Sequence, residues 1–170
     1  MTDDPTAIHV DEFLAHPPAK VWRALTEPEL LARWFMPSDF RLEVGHRYTI
    51  DAKAVPATGF SGSIAAEVLA FESERMLRVG WRDADPNAEH GADWTITWTL
   101  EPEGKGTRLF LEHAGFDPDH PLQQKARAIM EAGWRSHVMR RIDEVLRELG
   151  VGPEYPGKGP RRGTDVGRWG

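Results

Sequence analysis

Hydrophobic positions between residues 7 and 149 come first in short alternating runs and then in one long run of helical spacing. From Ala7 to Leu14, Ile8, Val10 and Leu14 share one face and Glu12 interrupts it, which predicts an edge-like strand. Pro17 and Pro18 stop that strand and suit the first turn of a helix. Val21, Trp22 and Leu25 follow at helical spacing, so a short amphipathic helix is expected over Ala19–Leu25. Thr26-Glu27-Pro28-Glu29 has the form of a capping box with Pro just inside the start. It opens a second short helix with Leu30, Leu31 and Trp34 on one side, closed by Pro37.

Residues 40–114 predict strands separated by turns. Tyr48 and Ile50 fall together in His46–Asp51, and Ile64 and Val68 recur in the weakly alternating run Gly59–Phe71. Leu77, Val79 and Trp81 share a face of Met76–Trp81, and the polar stretch Asp83–Gly91, with Pro86-Asn87, is a loop. Trp94–Leu100 is the cleanest strand. Trp94, Ile96, Trp98 and Leu100 lie on one face and Thr95, Thr97 and Thr99 on the other, which predicts one buried and one wet face. Glu103-Gly104-Lys105-Gly106 is a hairpin loop, after which Leu109, Leu111 and His113 share a face of Thr107–His113.

The last element is a long helix from about Pro121 to Leu149. Met130, Trp134, Val138, Ile142 with Val145, and Leu149 follow steps of three and four, and Gly150 stands where a C-terminal cap belongs. One sheet with that many meander strands must cover a face, and this helix is the element large enough to do so. A sheet curved around it leaves room for a cavity lined from the chain's seven Trp and seven Phe.

Composition narrows the chemistry. A chain of 170 residues fits one domain with a true core. Cys is absent, which excludes a disulfide scaffold, thiolate metal ligands and a Cys nucleophile. No apolar run approaches the ~20 residues of a membrane span. The start, Met1-Thr2-Asp3-Asp4-Pro5, is acidic where a signal peptide is basic, so the cytoplasm is the expected compartment. The net charge of −6 argues against a nucleic-acid partner. Residues 151–170 carry four basic and two acidic residues with six Gly and three Pro, leaving −8 on the rest. The expected organisation is one domain over residues 1–150 and a basic Gly/Pro-rich tail over 151–170.

The run Val21-Trp22-Arg23-Ala24-Leu25-Thr26-Glu27-Pro28-Glu29-Leu30-Leu31-Ala32-Arg33-Trp34-Phe35-Met36-Pro37 resembles the opening motif of a known family. That family is named for the activator of the heat-shock-protein-ninety ATPase, within the SRPBCC (START-like, birch-pollen-allergen-like) superfamily. Arg75-Met76-Leu77 leading to Trp81, Gly106-Thr107-Arg108-Leu109 leading to Glu112-His113-Ala114-Gly115-Phe116, and Gly133-Trp134 agree in order. The similarity covers about residues 7–149. Gly45-His46 stands where the family often has two Gly, and the tail falls outside the pattern. The resemblance implies an α+β helix-grip fold: a curved antiparallel sheet of about six to seven strands wrapped around a long C-terminal helix, with two short helices after the first strand.

The superfamily hosts several functions, so chemistry must be sought in the residues. The seven His (9, 16, 46, 90, 113, 120 and 137) include no i,i+4 pair and no H-E-x-x-H, so no metal site and no cofactor are expected. Gly104-Lys105-Gly106 is too short for a phosphate loop, and Ser61-Gly62-Ser63 lacks a nucleophile elbow. Asp51, Asp93 and Glu112 fall opposite the apolar face, which makes them solvated, and Glu67 has no paired partner in the pattern. His113 is the weak catalytic candidate. It puts a polar group on an apolar wall, where it either orients a ligand or moves a proton, or is simply a satisfied core histidine. The Trp residues of the inner face likewise line a pocket or fill the core.

Three readings follow. The first is binding of a small apolar ligand (lipid, polyketide or aromatic compound) between sheet and helix. Its expected lining is Trp34, Phe35, Trp81, Trp94, Trp98, Leu111, His113, Met130 and Trp134. The second is a cyclase, aromatase or hydrolase with His113 as acid/base. The third, suggested by the family's name alone, is a co-chaperone-like domain that stimulates a chaperone ATPase. Homodimerisation is compatible with all three.

Overall fold

Strand β1 (Ala7–Leu14) is followed by two short helices, α1 (Pro18–Thr26) and α2 (Pro28–Trp34). A meander then runs through β2 (Arg47–Asp51), β3 (Ser63–Glu72), β4 (Met76–Asp83), β5 (Asp93–Glu103) and β6 (Gly106–Ala114). The C-terminal helix consists of α3 (Pro121–Gly133), a π-helical turn (Trp134–Val138) and α4 (Met139–Gly150). This computed structural model describes residues 4–150; the expected tail 151–170 lies outside the described residues.

The six strands form one antiparallel sheet in the order β1-β6-β5-β4-β3-β2. Alternation sets the register. Trp81 lies opposite Trp94, Val79 opposite Ile96, and both Ile8 and Ile96 opposite His113. A bulge between Val68 and Ala70 inserts Leu69 into β3, and bulges bend a strand and increase its twist. The face expected to be wet departs from expectation at one point. Thr97 is only 8% exposed, because Arg78 lies over it and donates from Nε to Thr97 Oγ1 at 3.0 Å.

The short helices pack against the far end of the long one. Trp34 Nε1 donates to the Ala24 carbonyl at 2.7 Å, and its ring meets Trp98 edge-on at 5.8 Å. The expected capping box is not formed. Glu27 is the N-cap of α2 and makes no side-chain bond to the helix; Pro28 at N1 instead removes one of the orphan N–H groups. Thr26 turns back, its Oγ1 donating to Trp22 O at 2.7 Å.

The apolar stripe of the long helix also differs from its expected spacing. After Trp134 the next fully buried residue is Met139, then Ile142, Val145 and Leu146, while Val138 is only partly buried. The step from Trp134 to Met139 is five residues, the period of the π turn. The extra residue rotates α4 relative to α3, so both halves present their apolar sides inward.

Candidate functional site

A cavity of about 320 Å³ lies between the sheet and α3. The inner face supplies Ile64, Trp81, Trp94, Ile96 and His113, and the helix supplies Ala126, Ile129, Met130, Gly133, Trp134 and Val138. Phe35 and Met36, just after α2, close one side. The segment between β2 and β3 closes another with Ala52, Lys53, Val55, Thr58 and Phe60. At roughly 30 Å³ per water the cavity has about ten waters' volume, within the usual range of ligand pockets.

Of the nine residues expected to line a pocket, Phe35, Trp81, Trp94, His113, Met130 and Trp134 do so. Trp34 and Trp98 instead line a neighbouring space of about 50 Å³ beneath α2, and Trp134 borders both spaces. Leu111 lines neither cavity and belongs to the core. It lies on the same inner face as His113, but farther along β6 toward the end covered by the short helices.

The aromatic wall is continuous. Trp81 and Trp94 stack with centroids 4.7 Å apart, and Phe60 approaches Trp81 at 5.8 Å. Trp94 meets Phe116 at 4.4 Å, and Phe116 meets His113 at 4.9 Å. His113 is thus surrounded by Trp81, Trp94, Phe116 and Trp134. It is 1% exposed, and burial pushes its imidazole down to about 3. Trp134 Nε1 donates to His113 Nδ1 at 3.2 Å, and an indole nitrogen only donates. Nδ1 is therefore the acceptor, and the neutral ring carries its hydrogen on Nε2. Nε2 is buried and has no hydrogen-bond partner among the described residues.

His90, which also lines the cavity, belongs to a polar network that is fully bonded. The alternation of β4 continues past Trp81 to Asp83, whose side chain is only 3% exposed. One oxygen of Asp83 accepts Ser61 Oγ–H at 2.5 Å and the Asp85 N–H at 2.8 Å. The other accepts the Ser61 N–H at 2.9 Å and His90 Nε2–H at 2.8 Å. Burial alone raises the Asp83 carboxyl, but these four donors outweigh it and hold the group at about 2. His90 Nδ1 accepts the Ala92 N–H at 3.1 Å, so both its nitrogens are used. Gln123 of α3 completes the network: its Nε2 donates to His90 O at 2.6 Å, and its Oε1 accepts from Trp94 Nε1 at 3.2 Å and Asp117 N at 2.7 Å.

Sequence reasoning missed this network. Ser61, Asp83 and His90 resemble a catalytic trio only in composition. The carboxylate sits in the middle and both histidine nitrogens are engaged, so no base faces the serine. Its signal was the parity of Asp83 with Leu77, Val79 and Trp81. Lys53 is the one ionic side chain in the main cavity's lining, and it is exposed. Ile129, 52% exposed, adds an apolar lip. Among the described residues no group of three His, Asp or Glu is placed to hold a metal, and no helix is long and apolar enough to cross a membrane.

A curved antiparallel sheet gripping a long C-terminal helix, with a cavity between them, is the helix-grip architecture of the START-like superfamily. Within it, the chain belongs to the family of Activator of Hsp90 ATPase homolog 1-like proteins, whose model matches residues 15–147. A solved protein from Mesorhizobium loti is 33% identical over 84% of this chain and 97% of its own, with a TM-score of 0.72. DynU16, a protein of the dynemicin biosynthetic locus, is 24% identical with a TM-score of 0.66; the match covers 89% of this chain and 49% of that one. An Hsp90 activator from Plasmodium falciparum shares the fold at 20% identity and a TM-score of 0.64, over 84% of this chain and 96% of its own. None of the curated proteins matches the chain.

Proposed function

We propose that the protein binds a small apolar ligand, of lipid, polyketide or aromatic type, in the cavity between sheet and α3. The observation that carries this reading is the cavity itself: about 320 Å³ of space walled by Trp81, Trp94, Trp134, Phe60 and aliphatic side chains. Its lining is almost wholly apolar and aromatic, as ligand pockets usually are. The place of DynU16 in a biosynthetic locus accords with a small-molecule ligand.

Acid/base catalysis by His113 is the weaker reading. A general acid or base works best with a pKa near the working pH, whereas burial holds this ring neutral down to about pH 3. The co-chaperone reading rests on the family's description and on the Plasmodium relative, not on a feature of this cavity.

The test is a thermal-shift screen with naphthalenes, fatty acids and polyketide-like aromatics, run beside Ala126→Phe. Ala126 is buried in the cavity wall, so Phe there fills the space. A ligand at a hundred times its Kd is expected to raise the melting temperature of the natural protein by roughly 5–10 °C and leave the variant unmoved. No shift with any ligand would overturn the reading.

A further inference from the structure

We infer that the cavity selects an apolar ligand bearing a hydrogen-bond acceptor oxygen, a carbonyl or an aryl ether, and that His113 Nε2–H is the donor that receives it. This inference rests on the ligand-binding reading above and specifies the ligand's chemistry.

Buried polar atoms are nearly always paired, and the exceptions ask for an explanation. Along this cavity the other buried polar groups are satisfied. His90 uses both ring nitrogens, Thr58 Oγ1 donates to Val55 O at 3.2 Å, and the indoles of Trp94 and Trp134 donate to Gln123 and His113. Among the buried side-chain nitrogens and oxygens of the described residues that line this cavity, His113 Nε2 is the one without a partner. Because Trp134 occupies Nδ1, the free nitrogen is the one carrying hydrogen. The unpartnered buried group is therefore a donor, which suits a carbonyl or ether oxygen.

The imidazole of His113 packs among the Trp81, Trp94 and Phe116 rings, and its Nε2 is buried. A ligand that brings an oxygen to Nε2 pairs this donor. A hydrocarbon of the same shape leaves the donor unpaired. Trp134 acts here as a positioning residue, because its N–H fixes which nitrogen of His113 is free. The π turn that begins at Trp134 lets this indole face the sheet while Met139 still reaches the core beneath α4.

The experiment compares two probes of matched shape, 2-acetonaphthone and 2-isopropenylnaphthalene, by calorimetric titration of the natural protein and of His113→Phe. The ketone is expected to bind the natural protein roughly tenfold tighter than the alkene. In the variant that preference is expected to vanish while the alkene still binds. Nitrogen NMR of the natural protein gives a second readout should the variant fold poorly. His113 is expected as the Nε2–H tautomer, with its Nε2–H proton shifting downfield on ketone binding but not on alkene binding. Trp134→Phe is expected to mix the two tautomers.

Equal affinities for both probes, or an Nε2–H signal that ignores the ketone, would overturn the inference and leave the ligand-binding reading intact; the N–H would then be directed at the surrounding rings. Failure of both probes to bind would overturn the inference, and the ligand-binding reading falls with it only where the wider thermal-shift screen also gives no shift.

Discussion

His90 and His113 are buried to the same degree, 2% and 1% exposed, and line the same cavity, yet their surroundings differ in kind. Around His90 every polar atom is matched: carboxylate, hydroxyl, amide and backbone groups form one network from β4 to α3. Around His113 there are four aromatic rings and a single bond, from Trp134. The difference separates two uses of a buried polar group. A fully satisfied network fixes geometry, and breaking one member leaves the others stranded. A half-satisfied group in an apolar wall contributes little to holding the fold and is available to a ligand.

Removing the anchor of the polar network is the most damaging way to probe this contrast. Asp83→Ala leaves the buried His90 without its carboxylate partner and takes the acceptor from Ser61 and the Asp85 N–H. The expected loss is about 3 kcal/mol in urea unfolding, or roughly 6–12 °C in melting temperature. A loss under 1 kcal/mol would show that the polar network is not a structural anchor.

Acid separates the two surroundings next. The His113 imidazole is lowered from 6.5 to about 3 by burial, so between these values the unfolded chain holds a proton there that the folded protein does not. Stability therefore rises with pH in that window: the His113 share is complete above about pH 6.5 and is lost as pH falls toward 3. One proton gives a slope of at most about 1.4 kcal/mol per pH unit. Asp83 follows lower down. Its carboxyl is lowered from 3.8 to about 2, so its share is present above 3.8 and is lost as pH falls toward 2. Burial also lowers His16 despite its bond to Asp143, which adds to the upper slope. Urea titrations at stepped pH should give a shallower slope for His113→Phe than for the natural protein between pH 6.5 and 4. Identical slopes would remove His113 from the acid response.

The smallest expected effect is that of His113→Phe at neutral pH. Phe fills the ring's space and removes the unpaired N–H, but leaves the Trp134 N–H without its acceptor. These oppose each other, and the expected change in unfolding free energy is within about 1 kcal/mol. A loss as large as that of Asp83→Ala would make His113 a structural residue of the same kind as His90.

Much of this arrangement can be read from the residues, with instructive gaps. Regular alternation places Trp81, Trp94 and His113 on the inner face, and the family motif agrees with the fold. The apolar wall is legible because it obeys the rule that apolar faces inward. The polar network is hidden because it breaks that rule. Asp83 has the parity of a core position but the chemistry of a loop, and its partners Ser61 and His90 are distant or irregular in the chain. Leu111 shows the reverse limit, since facing inward does not fix distance from the cavity along the strand. The π turn is equally silent in a pattern read in threes and fours, because Val138 is apolar and fits a regular helix until Met139 is seen to take the buried place.

The most direct test of the central claim is an amide and indole NMR titration of the protein with 2-acetonaphthone. Trp22 is buried but lines neither cavity, so its indole serves as an internal control. The expected result is saturable shifts at the indoles of Trp81, Trp94 and Trp134, with Trp22 unmoved. Indoles that stay fixed, or shifts spread evenly to Trp22 without saturation, would contradict a ligand site between the sheet and α3.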